Sequence, residues 1–318
     1  MKLNNLKQFV GSFIAGTMTI KFSILIANYN NGDYLKDAVQ SVKEQTHDNW
    51  EIIIVDDCST DGGFDSFSAE NTDKRITCYT NTKNMGCGFT KARCVELATG
   101  SVCGFLDGDD KLIKTALEDL LLLHRKNPNA SLIYSQSYLC NEDLEIVKIN
   151  DLIGAIPQGA SYLDSLFGSP LVNHFATFKR EAYLKTKGIR KNLKRAVDQD
   201  LYFKLEEQGD LIFLEKPLYL YRYLRTDGKD GISTGPNKRL AKEDYFIVYY
   251  EALQRRLKQG IKIPKKTTDG YRRLVIDFYV FKIKNSKNFF DKLKALLDSL
   301  KYGGTKDRLN YRIGLLLK

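Results

Sequence analysis

Short apolar runs alternate with amphipathic stretches along the first 130 residues. Phe22 to Ala27, Glu51 to Val55, Ile76 to Thr80 and Val102 to Leu106 have the length and apolar character of strands buried in a sheet. Between them, Asp33 to Gln45, Phe89 to Ala98 and Ala116 to Lys126 repeat apolar residues at helical spacing. In the first of these Tyr34, Leu35, Ala38, Val39 and Val42 share a face, with Asp33 ahead of them as N-cap. Thr115-x-x-Glu118 reads as a capping box for Ala116 to Lys126, and Gly100 as the stop of the helix before it. Strands and helices alternating at this length predict an α/β fold, a mostly parallel sheet covered by helices on both faces. No internal repeat or low-complexity tract interrupts the pattern.

The chemistry sits where these strands end. Asp107-Gly108-Asp109-Asp110 follows the run Val102 to Leu106, and Asp56-Asp57-Cys58-Ser59-Thr60-Asp61-Gly62 follows Glu51 to Val55. In an open α/β sheet, ligands bind outside the carboxyl ends of the strands. Carboxylates converging there suit a hard divalent cation and, with it, a phosphate-bearing substrate. Acidic turns also serve as ordinary turn and capping chemistry. Two acidic strand ends on one sheet edge tilt the balance towards a metal and a phosphate.

Composition narrows the class. With 318 residues, 43% of them hydrophobic and 28% charged, the chain can bury one large core and carry an appended module. Its six cysteines show no paired ligand spacing and read as small buried apolar residues in a reducing compartment, not as a zinc site or disulfide framework. No stretch reaches the roughly 18 to 20 apolar residues that span a bilayer. Phe9 to Gly16, behind Lys2 and Lys7, imitates a signal peptide weakly, but two glycines and a serine break its apolar run. Residues 1–20 therefore read as an N-terminal extension, with Met18 rather than Met1 as the expected start.

Charge marks a second region. From Lys238 to the end there are 21 Lys and Arg against 8 Asp and Glu, a net +13 on a chain whose total is +10. A basic, mainly helical extension over residues 238–318 on a near-neutral body, residues 21–237, calls for an anionic surface. Asn288 to Leu300 places Phe289, Phe290, Leu293, Leu296 and Leu297 at helical spacing with lysines between them. That pattern suits peripheral membrane contact, and equally a helix packed on the body with a solvated lysine face. Nucleic acid is not expected as the partner.

Five segments in order carry a resemblance: Ser23 to Asn30, Val55 to Gly62, Asn84-Met85-Gly86 leading to Ala92-Arg93, Leu106 to Asp110, and Ala196 to Leu201. Together, over about residues 20–235, the chain resembles the GT-A fold glycosyltransferases, and among them the inverting enzymes of family 2. The resemblance implies that Ala27, Asn28 and Tyr29 cradle the nucleotide base, that Asp57 accepts a hydrogen bond from a uracil ring, and that Arg93 lies beside the base and phosphates. It implies that Asp107 binds the nucleotide-sugar and that Asp109 with Asp107 holds Mn2+ or Mg2+, Asp110 being able to share or replace Asp109. Asp198 matches the catalytic base that deprotonates the acceptor hydroxyl. His174 falls on the acceptor side, and Asp200 reads as a helix cap.

Two departures stand out. Val197 replaces the acidic neighbour that many relatives have before the base, and no histidine follows Tyr221-Arg222, which leaves Arg225 or Lys229 to meet the diphosphate. What the resemblance implies is an inverting, metal-dependent transfer from a nucleotide diphosphate sugar, a UDP-sugar foremost. The acceptor would be a saccharide or lipid-linked saccharide, in cell-surface polysaccharide synthesis at the cytoplasmic face of a membrane. A phosphoryl-transfer enzyme and a catalytically degenerate polysaccharide-assembly subunit stay open as alternatives.

Overall fold

The computed structural model describes residues 20–165, 172–223, 238–286 and 288–300. Residues 1–19, on which the expected start at Met18 turns, lie outside it, as do Arg225 and Lys229. The first half follows the sequence pattern, with α2 and β5 as elements it does not predict: β1 (Phe22–Asn28), α1 (Tyr34–Lys43), β2 (Trp50–Asp56), α2 (Gly63–Glu70), β3 (Ile76–Thr80), α3 (Cys87–Leu97), β4 (Val102–Phe105), β5 (Lys111–Leu112) and α4 (Ala116–Lys126). Then come β6 (Ala130–Cys140), β7 (Ile146–Ile149), α5 (Tyr162–Ser165), β8 (Ala176–Lys179), α6 (Arg180–Leu184), α7 (Val197–Glu206) and β9 (Asp210–Arg222). Three helices close the described chain: α8 (Lys238–Lys258), α9 (Lys265–Asn285) and α10 (Phe289–Leu300).

One sheet runs in the order β3-β2-β1-β4-β8-β6-β9-β5, with β7 alongside β6. β1 to β4 pair in parallel, as expected, and so do β6 and β9. β8 is antiparallel to both β4 and β6, and β5 to β9, so the sheet is mixed. Alternation along β1 assigns the two faces. Phe22, Ile24 and Ile26 pack in one buried cluster with α1 and α4, while Leu25 joins the other with Ala92, Val95, Leu201 and Phe203. α8 belongs to that second cluster, through Phe246, Val248, Ala252 and Leu253, and the Phe246 ring stacks on Phe278 of α9 with centroids 4.2 Å apart.

Several local readings change once the chain is folded. Asp33 and Thr115 stand at helix N-caps but neither side chain caps; Thr115 Oγ1 donates instead to Asp119 at 2.7 Å. Gly100 does not end α3, whose C-cap is Ala98. A Cβ at Gly100 would lie 2.6 Å from Ser23 Oγ, so glycine is there for a close approach to β1. The Gly100 N–H joins Ser23, Lys21 and Thr99 in donating to the Glu51 carboxylate at the amino-terminal edge of the sheet.

Burial opposes ionisation of Glu51, but these donors outweigh it and bring the carboxyl down to about 2 from 4.5. A carboxyl with a depressed folded value adds stability above its unfolded value and loses it as pH falls through the folded one. Glu51→Gln is therefore expected to cost about 2 kcal/mol in urea denaturation at neutral pH. The gap to wild type should close as pH drops below about 4.5.

Candidate active site

Parallel register brings the acidic strand ends together. Asn28 at the end of β1 lies opposite Asp56, and the Leu25–Phe105 pairing of β1 with β4 delivers Asp107 to the same carboxyl edge. Asn28 is buried, donating to Asp56 Oδ1 at 2.7 Å and accepting from Asn31 at 3.0 Å. Gly108 is required there, because a Cβ would sit 2.5 Å from Asn31 Nδ2. Ala27 is partly buried against the core, and Tyr29 beyond it stands 48% exposed.

Asp57 is buried and accepts from Met85 N and Gly86 N, both at 2.7 Å, and from Asn81 Nδ2 at 2.8 Å. It thereby fixes the loop that leads into α3, and Oδ2, with one partner, keeps acceptor capacity. Arg93 reaches the same corner, donating to Asn81 Oδ1 at 2.6 Å and the Thr80 carbonyl at 2.9 Å, its guanidinium over Tyr79. The structure thus sets Arg93 beside Asp57, at the β2–β3 side of the edge, and gives it no contact with the acids after β4.

Lys91, two residues earlier on α3 and only 8% exposed, takes that place instead. Its ammonium donates to Asp198 Oδ1 at 2.6 Å, lies 3.9 Å from Asp107 Oδ1, and sits over the Phe105 ring. Burial opposes its charge, yet Asp198 and Asp107 raise the ammonium well above its ordinary value. Burial would likewise raise Asp198, but Lys91's charge and hydrogen bond prevail and hold its carboxyl below the usual range. The Asp198 side chain is 39% exposed. Its position depends on Gly88, where a Cβ would lie 2.5 Å from the Arg190 and Leu193 carbonyls, so the segment leading into α7 can lie against α3.

His174 completes this side of the cleft, with Nδ1 3.3 Å from Asp107 Oδ2 and its ring packed between Tyr219 and Tyr221 at 5.5 and 4.7 Å. Among the described residues, four non-glycine residues have positive φ, and three of them, Asn30, Cys58 and Ala196, lie within two residues of Asn28, Asp57 and Asp198. Backbone strain of this kind gathers where a site needs it.

The neighbouring acids behave differently from one another. Asp110 is fully buried, accepting from the Tyr219 hydroxyl at 2.7 Å and Arg222 N at 2.8 Å, while Arg222 Nε donates to the Asp109 carbonyl. Burial, with repulsion from Asp109 and Asp107, pushes its carboxyl well above the usual range. Through its hydrogen bonds Asp110 anchors β9 to the loop after β4. Asp200 is no helix cap either: it is buried one turn into α7 and paired with Lys204 at 2.5 Å.

Among the described residues no three His, Cys, Asp or Glu side chains converge to hold a metal by themselves. The candidate carboxylates on this loop are those of Asp107 and Asp109. One or two carboxylates completed by substrate phosphates is a donor set that Mg2+ accepts, so the residues fit such an ion bound together with a diphosphate.

Comparison with known proteins turns this geometry into a family. A model described as Glycosyl transferase family 2 matches residues 23–185. The chain belongs to glycosyl transferase family 2. It is 31% identical to the chondroitin synthase of Escherichia coli over 235 residues, covering 73% of this chain and 32% of that one. It therefore spans about a third of the synthase's length. It is also similar, at 26% identity, to a UDP-Glc:alpha-D-GlcNAc-diphosphoundecaprenol beta-1,3-glucosyltransferase of E. coli, covering 64% of this chain and 90% of the relative. In fold it is similar to S. aureus TarS residues 1–349, solved with UDP-GlcNAc (TM-score 0.59, 18% identity, 92% of this chain and 90% of that one). A mannosyltransferase of Pyrobaculum calidifontis, solved with GDP-Man and Mn2+, superposes with a TM-score of 0.54 at 12% identity, covering 95% of this chain and 86% of that one. The GT-A-like α/β architecture expected from the sequence is therefore that of this transferase. Asp198 and Lys204 fall beyond the matched segment, so their placement rests on the fold itself.

Proposed function

We propose that this family 2 transferase is an inverting, metal-dependent enzyme that moves a sugar from a UDP-sugar to a hydroxyl of a saccharide or lipid-linked saccharide in cell-surface polysaccharide synthesis. One observation carries the reading: the sheet edge joins a nucleotide-side carboxylate, Asp57, to Asp107 and, through Lys91, to the accessible carboxylate Asp198. Asn28, Tyr29, Asp57 and Arg93 line the base end, and the diphosphate lies over Asp107 and Asp109. Those two acids would hold Mn2+ or Mg2+, which when bound supplies positive charge against the leaving nucleoside diphosphate.

Asp198 takes the acceptor proton as the hydroxyl attacks the anomeric carbon, and Lys91 keeps that carboxylate ionised and aimed into the cleft. His174 positions Asp107 and borders the acceptor side. The relatives' printed names, a chondroitin synthase and a glucosyltransferase acting on a diphosphoundecaprenol-linked sugar, favour a glycan acceptor. No helix among the described residues is long and apolar enough to cross a membrane. Phe289, Phe290 and Leu297 of α10 are exposed beside Lys292 and Lys294, which supports peripheral contact with the cytoplasmic face of a membrane.

The test is a thermal-shift titration with UDP, GDP and dTDP, each with and without Mn2+. Stabilisation by UDP that requires Mn2+ and disappears in Asp109→Ala is the expected result, and Mn2+ alone should give no shift. The absence of any nucleotide shift would overturn the donor assignment.

A further inference from the structure

Away from the cleft, a cavity of about 810 Å3 opens between the α6–α7 region and α8, inside the range of about 300–1,000 Å3 typical of ligand pockets. Six cations line it: Lys185, Lys187, Arg190, Lys204, Arg255 and Lys258. Its two carboxylates are already engaged, Glu251 with Arg190 and Glu207 with Arg255 Nε at 2.8 Å. Lys204 donates to Asp200 and to the Gly188 carbonyl. What remains is positive. Lys185, Lys187 and Lys258 make no ion pair among the described residues, and Arg255 Nη2 is buried without a hydrogen-bond partner. Burial lowers the Lys204 ammonium, and Arg255 and Arg190 add to the effect against Asp200.

A groove lined by unpaired ammonium groups, with an arginine nitrogen behind them that lacks an acceptor, is an arrangement that anionic groups satisfy. We infer that this cavity binds the anionic groups of an acidic saccharide chain. The largely buried side chains of Arg190, Lys204 and Arg255 suit discrete anionic groups entering the groove better than a flat bilayer. α7 connects the cavity to the reaction: Asp198 stands in its first turn, and Lys204 and Glu207 at its other end, roughly 10–15 Å along the axis. An acceptor gripped here is held on the same rigid helix as the proposed base. The class of ligand rests on the saccharide-acceptor reading, and the site on the cavity itself.

The test is direct binding by the full chain of a fluorescent oligogalacturonate, with malto-oligosaccharide as the neutral control. Flotation with phosphatidylglycerol vesicles runs in parallel. The charged oligosaccharide should bind, more weakly as salt rises, and the neutral one should not. Replacing the unpaired cations together, Lys185→Ala, Lys187→Ala and Lys258→Ala, should weaken binding at least about tenfold. The thermal shift with UDP should stay intact in that variant, since none of the three touches the cleft. No binding, or equal binding by wild type and variant, overturns the inference. So does vesicle capture that the variant loses without any saccharide binding. Saccharide binding through these lysines in a protein that UDP never stabilises would fell the donor assignment and leave this site standing.

Discussion

Asp198→Asn is expected to lower kcat by roughly 10²–10⁴-fold, the range that general-base catalysis contributes, with little change in nucleotide affinity. The asymmetry follows from position. Asp198 reaches the cleft from α7, whereas the proposed nucleotide-side groups Asn28, Asp57, Asn81 and Arg93 come from the ends of β1, β2 and β3 and from α3. Asparagine keeps the shape and an oxygen for Lys91 but cannot accept the acceptor's proton. Lys91 retains Asp107 at 3.9 Å, so its buried charge is not left alone and the fold should survive. UDP release in the presence of acceptor, beside UDP affinity from the thermal-shift titration, separates the two quantities. Turnover within about tenfold of wild type, short of what a general base supplies, would remove Asp198 from the role of base.

Lys91→Met should be nearly as damaging, by a different route. The ammonium sits between two carboxylates in a buried wall, and methionine fills the volume without charge. Turnover is expected to fall by about 10²-fold, as when one preorganised electrostatic group is lost. The pH profile identifies the cause. Lys91 depresses the Asp198 carboxyl, which keeps the base ionised to lower pH. Without the ammonium, burial raises that carboxyl, and the acid limb of kcat/KM should move to higher pH. Coulombic contact with His174 also acts on Asp198 and is left unchanged by the substitution. A fall in activity with an unmoved acid limb would make Lys91 a packing residue only.

Lys91 also illustrates which signals were readable. It lies on the buried stripe of α3 with Gly88, Cys94 and Val95, a lysine at an apolar position of the helix. That oddity is visible in the sequence, but its meaning is not, because the partner Asp198 is 107 positions away. Arg93 stands in the motif, but the helical rotation between it and Lys91 sends it to Asn81 and Thr80 instead.

The acids after β4 make the same point. Asp107, Asp109 and Asp110 are alike as a string of residues, and only β9, with Tyr219 and Arg222, distinguishes the fully buried Asp110 from the other two. Asp33 and Thr115 stand at cap positions without capping, and Asp200 lies inside its helix; local side chains, Asp119 for Thr115 and Lys204 for Asp200, take the polar groups instead.

The sequence by itself determined most elements of the first 130 residues and the edge where chemistry belongs. Apolar runs and helical stripes are local periodicities, and parallel strands separated by helices must bring Asn28, Asp57 and Asp107 to one side of the sheet. Only the tertiary structure decided which acid is fully buried, which cation faces Asp198, how β8 and β5 turn a parallel sheet into a mixed one, and that the basic residues of α8 close a cavity with the end of α7. Those outcomes depend on contacts between segments far apart in the chain, where burial and charge set each group's state and no local pattern encodes the neighbour.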